Sequence, residues 1–411
     1  MPEVLRKGGV TRRPKILVVT ERYWPEGSGG ELATHLITKL LADEYDVTVV
    51  TGTKEPERAE GVRYIYEPAL SARSKHILWL NTAKLAKSTA FRKLVERADV
   101  VYVPRFAFPV IPLAKRLRKK VVVHLHDYIP ISYTAVVLAP YEKHRHRIHK
   151  ENVALECRRG VAHCVAAGLT AWLMPKLAER LISIADAVIC VSKRQAQIIS
   201  ELAPELRDKI TVIYNPPPKV PNITKNPSEK PTFIYVGGGS YVKGYLVLIK
   251  ALKVLASLSN NFNLKLILTN TYTEKQISEL MKLKSYRLDI EIVGRVSYEK
   301  VLKLYQQAWG LIHPAIFEEP FGYAVAESML MGTIPIASAV GAIPEIVEGS
   351  IARKYLVPPL SSIELAKKIL NVAKLGAENV TTLGKSLRPH IESKFAWEKI
   401  KRNLLEVLYS I

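Results

Sequence analysis

Strand-like and helix-like runs alternate along this chain from end to end, and a proline-rich break divides the alternation into two series. Short runs rich in Val, Ile and Leu occur at 15–20, 47–51, 100–103, 121–125, 187–191 and 211–214. A second series follows at 232–236, 264–268, 290–293, 310–313 and 334–337. Near-continuous apolar strands separated by stretches of helical length point to parallel sheets covered by helices, because a parallel pair needs a crossover long enough to hold a helix. An all-α or all-β chain is excluded. Between the series, Pro216, Pro217, Pro218, Pro221, Pro227 and Pro231 leave no room for regular structure. The pattern predicts two doubly wound α/β domains, 1–215 and 232–393, joined by a linker at 216–231 and followed by an amphipathic segment at 394–411.

A chain of 411 residues exceeds what a single core usually supports, and 48% hydrophobic residues suffice to fill two. No run of about 20 uncharged apolar residues is present. The first residues, 1–13, are charged without an apolar segment behind them, so the expectation is a cytoplasmic protein, neither secreted nor membrane-spanning. Cys157, Cys164 and Cys190 are too few for a disulfide framework and lack the spacing of a zinc site. Cys157 and Cys164 read as buried thiols on a helix.

The chemistry concentrates in the second half, where Glu319 and Glu327 are separated by seven residues. Pro320 and Gly322 put Glu319 in a loop, and the apolar pattern after them puts Glu327 on a helix. Were the whole segment helical, the two Cα atoms would lie roughly 12 Å apart at about 1.5 Å per residue. That is too far to share one reacting atom as a glycosidase pair does, and it suits a long ligand held at two places. The run Gly341-Ala342-Ile343-Pro344-Glu345-Ile346-Val347 follows.

These two segments resemble the E-x7-E motif and the GG-x-PE segment of the retaining glycosyltransferases of the GT-B fold, in particular glycosyltransferase family 4 (glycosyl transferases group 1). The resemblance covers nearly the whole chain. It implies two Rossmann-like domains facing across a cleft, with the segment 394–411 as a helix that crosses back onto the first domain. It also implies that Glu319 contacts a hydroxyl of a donor sugar and that Glu327 holds the ribose of its nucleotide, with Phe321 and Gly322 in the same donor-binding turn.

Three other places gain meaning from this resemblance. After the strand 15–20, Gly29 and Gly30 let backbone amides approach an anion at a helix N-terminus, although the G-x-G-x-x-G spacing of a dinucleotide fold is absent. In the family a Gly-Gly pair in this loop lies beside the donor phosphates and the acceptor. His126-Asp127 follows the strand 121–125, at the edge where ligands gather in open α/β sheets. By its likeness to the family's HD or HE step, His126 is a candidate for the catalytic centre, whereas His124 reads as core.

The third place is Gly237-Gly238-Gly239, followed by Lys243-Gly244. Departure of a nucleoside diphosphate leaves charge that calls for cations or N–H donors, and Lys243 supplies one. The family reads G-R-L-x-x-x-K-G here; the lysine is kept, but Gly238 stands where the family has arginine. Three outcomes are open: the amides of Gly237, Gly238 and Gly239 bind phosphate, another arginine such as Arg295 moves in, or activity is weak or lost. Gly294 and Arg295 fall in the loop that packs on the nucleotide base in relatives. No side chain there names the base, so UDP-, GDP- and ADP-sugars all stay open.

The reaction implied is transfer with retention, through an anomeric carbon with oxocarbenium character. No D-x-D motif occurs, which argues against an obligatory divalent metal, and no cofactor beyond the donor is expected. Two rival readings exist. A GT-B nucleotide-sugar epimerase would need its own pair of bases, for which no candidates stand out. A non-catalytic basic protein that binds membranes or nucleic acid would not need Glu319, Glu327 and Lys243 at these spacings.

Charge bears on the acceptor. The chain carries a formal net charge of +22, and residues 71–150 hold 17 Lys plus Arg against 4 Asp plus Glu. The densest pieces are 115–120 and 143–150. Such runs attract phosphates, so the expected partner besides the donor is an anionic membrane surface or a lipid or glycan acceptor; nucleic acid is not expected. The apolar run 160–174, bounded by Arg158-Arg159 and Lys176, is either a buried helix or an interfacial segment on the cytoplasmic membrane face.

Overall fold

The computed structural model describes residues 12–72, 74–221, 224–257 and 263–411. Most of the charged start, Arg73 of the basic segment and two residues of the proline-rich stretch lie outside these.

The first series of strands is β1 (Lys15–Thr20), β2 (Asp46–Thr51), β3 (Val62–Tyr66), β4 (Val100–Val103), β5 (Lys120–Leu125), β6 (Ala187–Cys190) and β7 (Ile210–Val212). They form one sheet in the order β3-β2-β1-β4-β5-β6-β7. The second series is β8 (Thr232–Tyr235), β9 (Leu264–Thr269), β10 (Leu288–Gly294), β11 (Gly310–His313), β12 (Ile334–Ser338) and β13 (Leu356–Val357), in the order β10-β9-β8-β11-β12-β13. β1 pairs in parallel with both β2 and β4, and β8 with both β9 and β11. Central strands are buried on both faces, as at Ile16, Leu17, Val18 and Val19 in β1 and Leu311 and Ile312 in β11, which is why they read as unbroken apolar runs.

Two strands escape the sequence reading, and both are sheet edges. β3 is a half-exposed run, Val-Arg-Tyr-Ile-Tyr, and β13 is two residues long. An edge strand has one partner and one wet side, so it needs no apolar block to hold it.

Two compact units divide the chain. One comprises 1–125, 180–189 and 406–411; the other comprises 126–179 and 190–405. The second unit thus contains both the six-stranded sheet and the insertion 126–179. Within it the proline-rich stretch is tied down rather than loose. The hydroxyl of Tyr323 donates to the carbonyl of Pro216 at 3.1 Å, and the indole N–H of Trp397 to that of Pro217 at 2.9 Å. Lys225 is buried with its ammonium on the carbonyl of Tyr305 (2.7 Å) and the hydroxyl of Thr333 (2.6 Å), and burial pulls its pKa down to about 7.

The cysteine expectation is corrected. Cys157 and Cys164 are joined in a disulfide that clips the end of the helix Arg145–Cys157 to the helix Val161–Thr170, and Cys190 alone is a free, buried thiol. Three cysteines looked too few for a framework, yet the turn at Gly160 brings two of them together. The apolar run 160–174 is also settled as to burial: it is not a buried helix, because its large side chains face outward.

Candidate active site

The site is built where two strands of the six-stranded sheet end. β8 runs into the glycine turn 236–244, which opens the helix Tyr245–Ser257. β11 ends at His313 and runs into the loop that carries Glu318 and Glu319, and Gly322 then caps the helix Tyr323–Leu330, which carries Glu327. These are carboxyl ends of parallel strands, the place where an open α/β sheet leaves room for ligands.

The glycine turn explains its own departure from the usual arginine. Gly238 has φ +58°, and a Cβ there would sit 3.0 Å from the carbonyl oxygen of Thr271 and 3.2 Å from Asn270 Cβ. An arginine would be strained in this backbone. The amide of Gly239 donates to Thr271 O at 3.0 Å, and Gln276 Nε2 donates to Gly239 O at 2.9 Å. That part of the turn is therefore braced against the neighbouring loop rather than turned to a ligand.

Lys243 is the cation of the turn. Its Nζ lies 2.9 and 3.2 Å from the two carboxylate oxygens of Glu319 and 4.9 Å over the ring of Phe317. His313 Nε2 stands 3.3 Å from Glu319 Oε2. Burial by itself would raise the Glu319 carboxyl, but Lys243 and His313 outweigh it and hold the pKa at about 2. Glu319 is thus a fixed anion. It accepts hydrogen bonds and has no proton to give. The fold confines its backbone too: Ala342 donates to Glu319 O at 2.8 Å, and a Cβ on Gly341 (φ +53°) would fall 2.1 Å from that same oxygen.

An arginine of the insertion reaches the glycine turn. The guanidinium carbon of Arg158, at the end of the helix Arg145–Cys157, sits 4.0 Å over the ring of Tyr241, two residues before Lys243. A planar guanidinium stacked on an aromatic face keeps its edge N–H groups available to an anion. Arg295, the substitute considered from sequence, is exposed just beyond Gly294 at the end of β10.

Glu327 is placed differently from Glu319. It is buried with no cation paired to it among the described residues, and the hydroxyl of Tyr298 donates to its Oε1 at 3.0 Å. Burial dominates and raises its pKa to about 7, against the small opposing effect of the Tyr298 hydrogen bond. Phe321 packs edge-on against Tyr323 (5.0 Å) and Phe395 (5.5 Å), so its ring stiffens the segment between the two acids.

Glu318 and Glu345 act as anchors. Glu318 accepts from Arg194 Nε at 3.0 Å, from the amide of Gly341 at 2.9 Å and from that of Tyr141 at 3.3 Å. Glu345 accepts from the amides of Lys193 and Arg194 at 3.1 and 2.8 Å and from the Tyr214 hydroxyl at 2.7 Å. The carboxylate of the P-E step therefore caps the start of the helix Lys193–Leu202 rather than facing a ligand. His126 follows β5 and is buried. Tyr128, two residues on, lies within electrostatic reach of Glu318 and Glu319, so the loop that carries His126 borders the same acids. His124 is fully buried against the hydroxyl of Tyr102, and burial lowers its pKa to about 3.

Gly29 and Gly30 belong to the other unit, where they begin the helix Gly29–Ala42. Its N-terminus already meets an anion, because Glu31 Oε2 accepts the amide of Ser28 at 2.7 Å. Arg105 bridges Glu21 (2.8 Å) and Glu31 (3.3 Å).

Of the residues expected from sequence, the structure brings Lys243 and Glu319 into contact and sets Glu327 on the helix that follows. His313, Tyr298, Glu318 and Arg158 were missed. The rule that singled out His126, a polar residue at the carboxyl end of a parallel strand, applies equally to His313. Arg158 carried no such signal.

Residues 28–216 match the model of glycosyltransferase family 4, and residues 218–385 that of the glycosyl transferases group 1. An uncharacterized glycosyltransferase of Methanocaldococcus jannaschii is 28% identical over 187 residues, 42% of this chain and 47% of that protein. A lipopolysaccharide 1,2-N-acetylglucosaminetransferase of Salmonella typhimurium is 29% identical over 181 residues, 42% of this chain and 46% of that protein. The match thus spans about half the length of either relative. Among solved structures, HepE of Anabaena in complex with UDP and glucose shares the fold with a TM-score of 0.67 at 18% identity, covering 97% of this chain and 100% of that one. With one family model ending and the other beginning at the proline-rich stretch, the chain belongs to the group 1, family 4 glycosyltransferases.

Proposed function

We propose that the chain moves a sugar from a nucleoside-diphosphate sugar to a hydroxyl acceptor with retention of configuration. The observation that carries this reading is the Lys243–Glu319–His313 assembly at the glycine turn, with the buried carboxyl of Glu327 on the helix beyond it. When a donor enters, its diphosphate competes for Lys243. Glu319 is then released to accept hydroxyls of the sugar, a role that suits an anion that stays ionised. Arg158, stacked on Tyr241, adds the guanidinium that the turn lacks, and the ribose hydroxyls displace Tyr298 from Glu327.

The bond between the anomeric carbon and the diphosphate oxygen breaks with its electron pair on the diphosphate, where Lys243 and Arg158 stabilise the charge. The acceptor oxygen bonds to that carbon from the same face, and its proton passes to the departing diphosphate. His126 is the candidate to hold the sugar from the other side. UDP in the HepE complex makes UDP-sugars the first donors to try, with GDP- and ADP-sugars next. The acceptor is a glycan or lipid hydroxyl, and the basic segment 71–150 favours an anionic membrane surface on the cytoplasmic side as the place of work.

A thermal-shift screen with UDP, GDP, ADP and their sugar conjugates tests the reading. One conjugate is expected to raise the melting temperature of the native chain and not that of Glu327→Ala. Equal shifts in both would place the nucleotide elsewhere.

A further inference from the structure

The helices Val161–Thr170 and Leu173–Ser183 invert the usual arrangement of a surface helix pair. The inward positions of the first helix and the elbow are small, Ala167 and Ala171, packed against Tyr133 with Val153 and Met174, while the second helix turns Ala178 and Ile182 inward. The large apolar side chains point out: Val161 is 81% exposed, Val165 57%, Leu169 71%, Trp172 54%, Leu173 48% and Leu177 42%. Positions 161, 165 and 169 share one face of the first helix, and 173 and 177 share one face of the second. A surface helix ordinarily buries such a stripe, and an exposed contiguous one marks an interaction site.

Charge identifies the occupant. Arg159 and Lys176 are exposed at the ends of the stripe; Arg159 is paired with Glu156 at 2.9 Å, and Lys176 Nζ lies 5.8 Å from the ring of Trp172. No Asp or Glu stands between Cys157 and Ala178. An apolar stripe with a cationic rim, a tryptophan at its edge and no acid complements an anionic lipid surface.

Neither helix is a span by itself, and only the bent pair together has the length and composition of one. The two helices are bent by 53° at their break, and no single helix among the described residues is long and apolar enough to cross a membrane. At about 1.5 Å per residue each covers roughly 15 Å, half the hydrocarbon thickness. The disulfide between Cys157 and Cys164 fixes the first helix to the helix that presents Arg158 to the glycine turn.

We infer that this elbow is an interfacial anchor that lays Val165, Leu169, Trp172 and Leu173 into an anionic lipid surface. The inference deepens the membrane reading above by naming the residues that enter lipid. Its test reads vesicle binding and not sugar transfer, so the two can fail separately.

Flotation of the full chain with phosphatidylcholine vesicles, with and without phosphatidylglycerol, is the experiment. Binding to the anionic vesicles is expected, with a part that persists in high salt, and with tryptophan emission quenched by brominated acyl chains. The double variant Leu169→Glu, Leu173→Glu is expected to bind at least about tenfold more weakly with an unchanged melting temperature, since both side chains are exposed. Three results would overturn the inference: no flotation of the native chain, equal flotation of the variant, or binding abolished entirely by salt. A native chain that self-associates without floating, and a variant that is monomeric, would instead make the stripe an interface between copies.

Discussion

The turn after β1 and the turn after β8 share one plan, a parallel strand that passes through glycines into a helix, yet they carry opposite charge. In the first, Glu31 and Glu21 hold Arg105 between them, and a carboxylate already occupies the helix N-terminus. In the second, Lys243 meets Glu319, and Arg158 stacks on Tyr241 of the same turn. A nest of glycines therefore does not by itself make a phosphate site. Side chains that arrive from elsewhere decide whether the positive end of the helix is free for a ligand. The second turn is the one suited to a diphosphate.

Removing the cation of the second turn should have the largest effect. Lys243→Ala is expected to lower kcat by about 100- to 1,000-fold, the range for losing one preorganised charge-stabilising group, measured with the donor found in the thermal screen. A loss below fivefold would break the comparison, because the two turns would then be equivalent in catalysis.

Next is a pH effect that sets Glu327 apart from Glu319. The folded pKa of Glu327, about 7, lies above its ordinary 4.5. Below 4.5 the carboxyl is protonated in both the folded and unfolded chain and carries no penalty. Between 4.5 and about 7 the unfolded chain gives up this proton while the folded chain keeps it buried, so stability falls across that interval and levels off above it, by a few kcal/mol at most at about 1.4 kcal/mol per unit. The melting temperature of the ligand-free chain should decline across this window, and Glu327→Gln should flatten the decline. A native profile as flat as the variant's would show that the carboxyl is not held neutral.

Arg158→Ala should weaken donor binding about tenfold, and Tyr241→Leu should do nearly the same by removing the ring that supports the guanidinium. Arg158→Lys should not restore binding, since an ammonium cannot stack as a plane. An unaffected donor affinity would return the role to Arg295.

How far the sequence could show this difference depends on distance along the chain. The central strands were legible because burial on both faces forces apolar runs, while β3 and β13 were not, since an edge strand is exempt from that demand. Glu319, Lys243 and Glu327 were legible as local motifs. Arg158 on Tyr241, Glu318 on Arg194 and Glu345 under Lys193 join residues far apart, and nothing local marks them. The disulfide was misread for a related reason: the number of cysteines is local information, but the turn at Gly160 that makes two of them neighbours is not.

The smallest effect sharpens the comparison from the other side. Glu31 completes the cap of the first helix and is buried against Arg105. Glu31→Gln keeps an oxygen for the amide of Ser28 but removes the charge that meets the helix end and the guanidinium, so stability should fall by about 1 kcal/mol. Donor affinity, read by the same thermal shift, should not change, because this turn already carries its own anion. If instead the variant gained affinity for a nucleoside diphosphate, the carboxylate would be what keeps phosphate out. The opposite charges of the two turns would then be a device that sorts ligands, with the diphosphate directed to Lys243 and the first turn kept for a neutral acceptor.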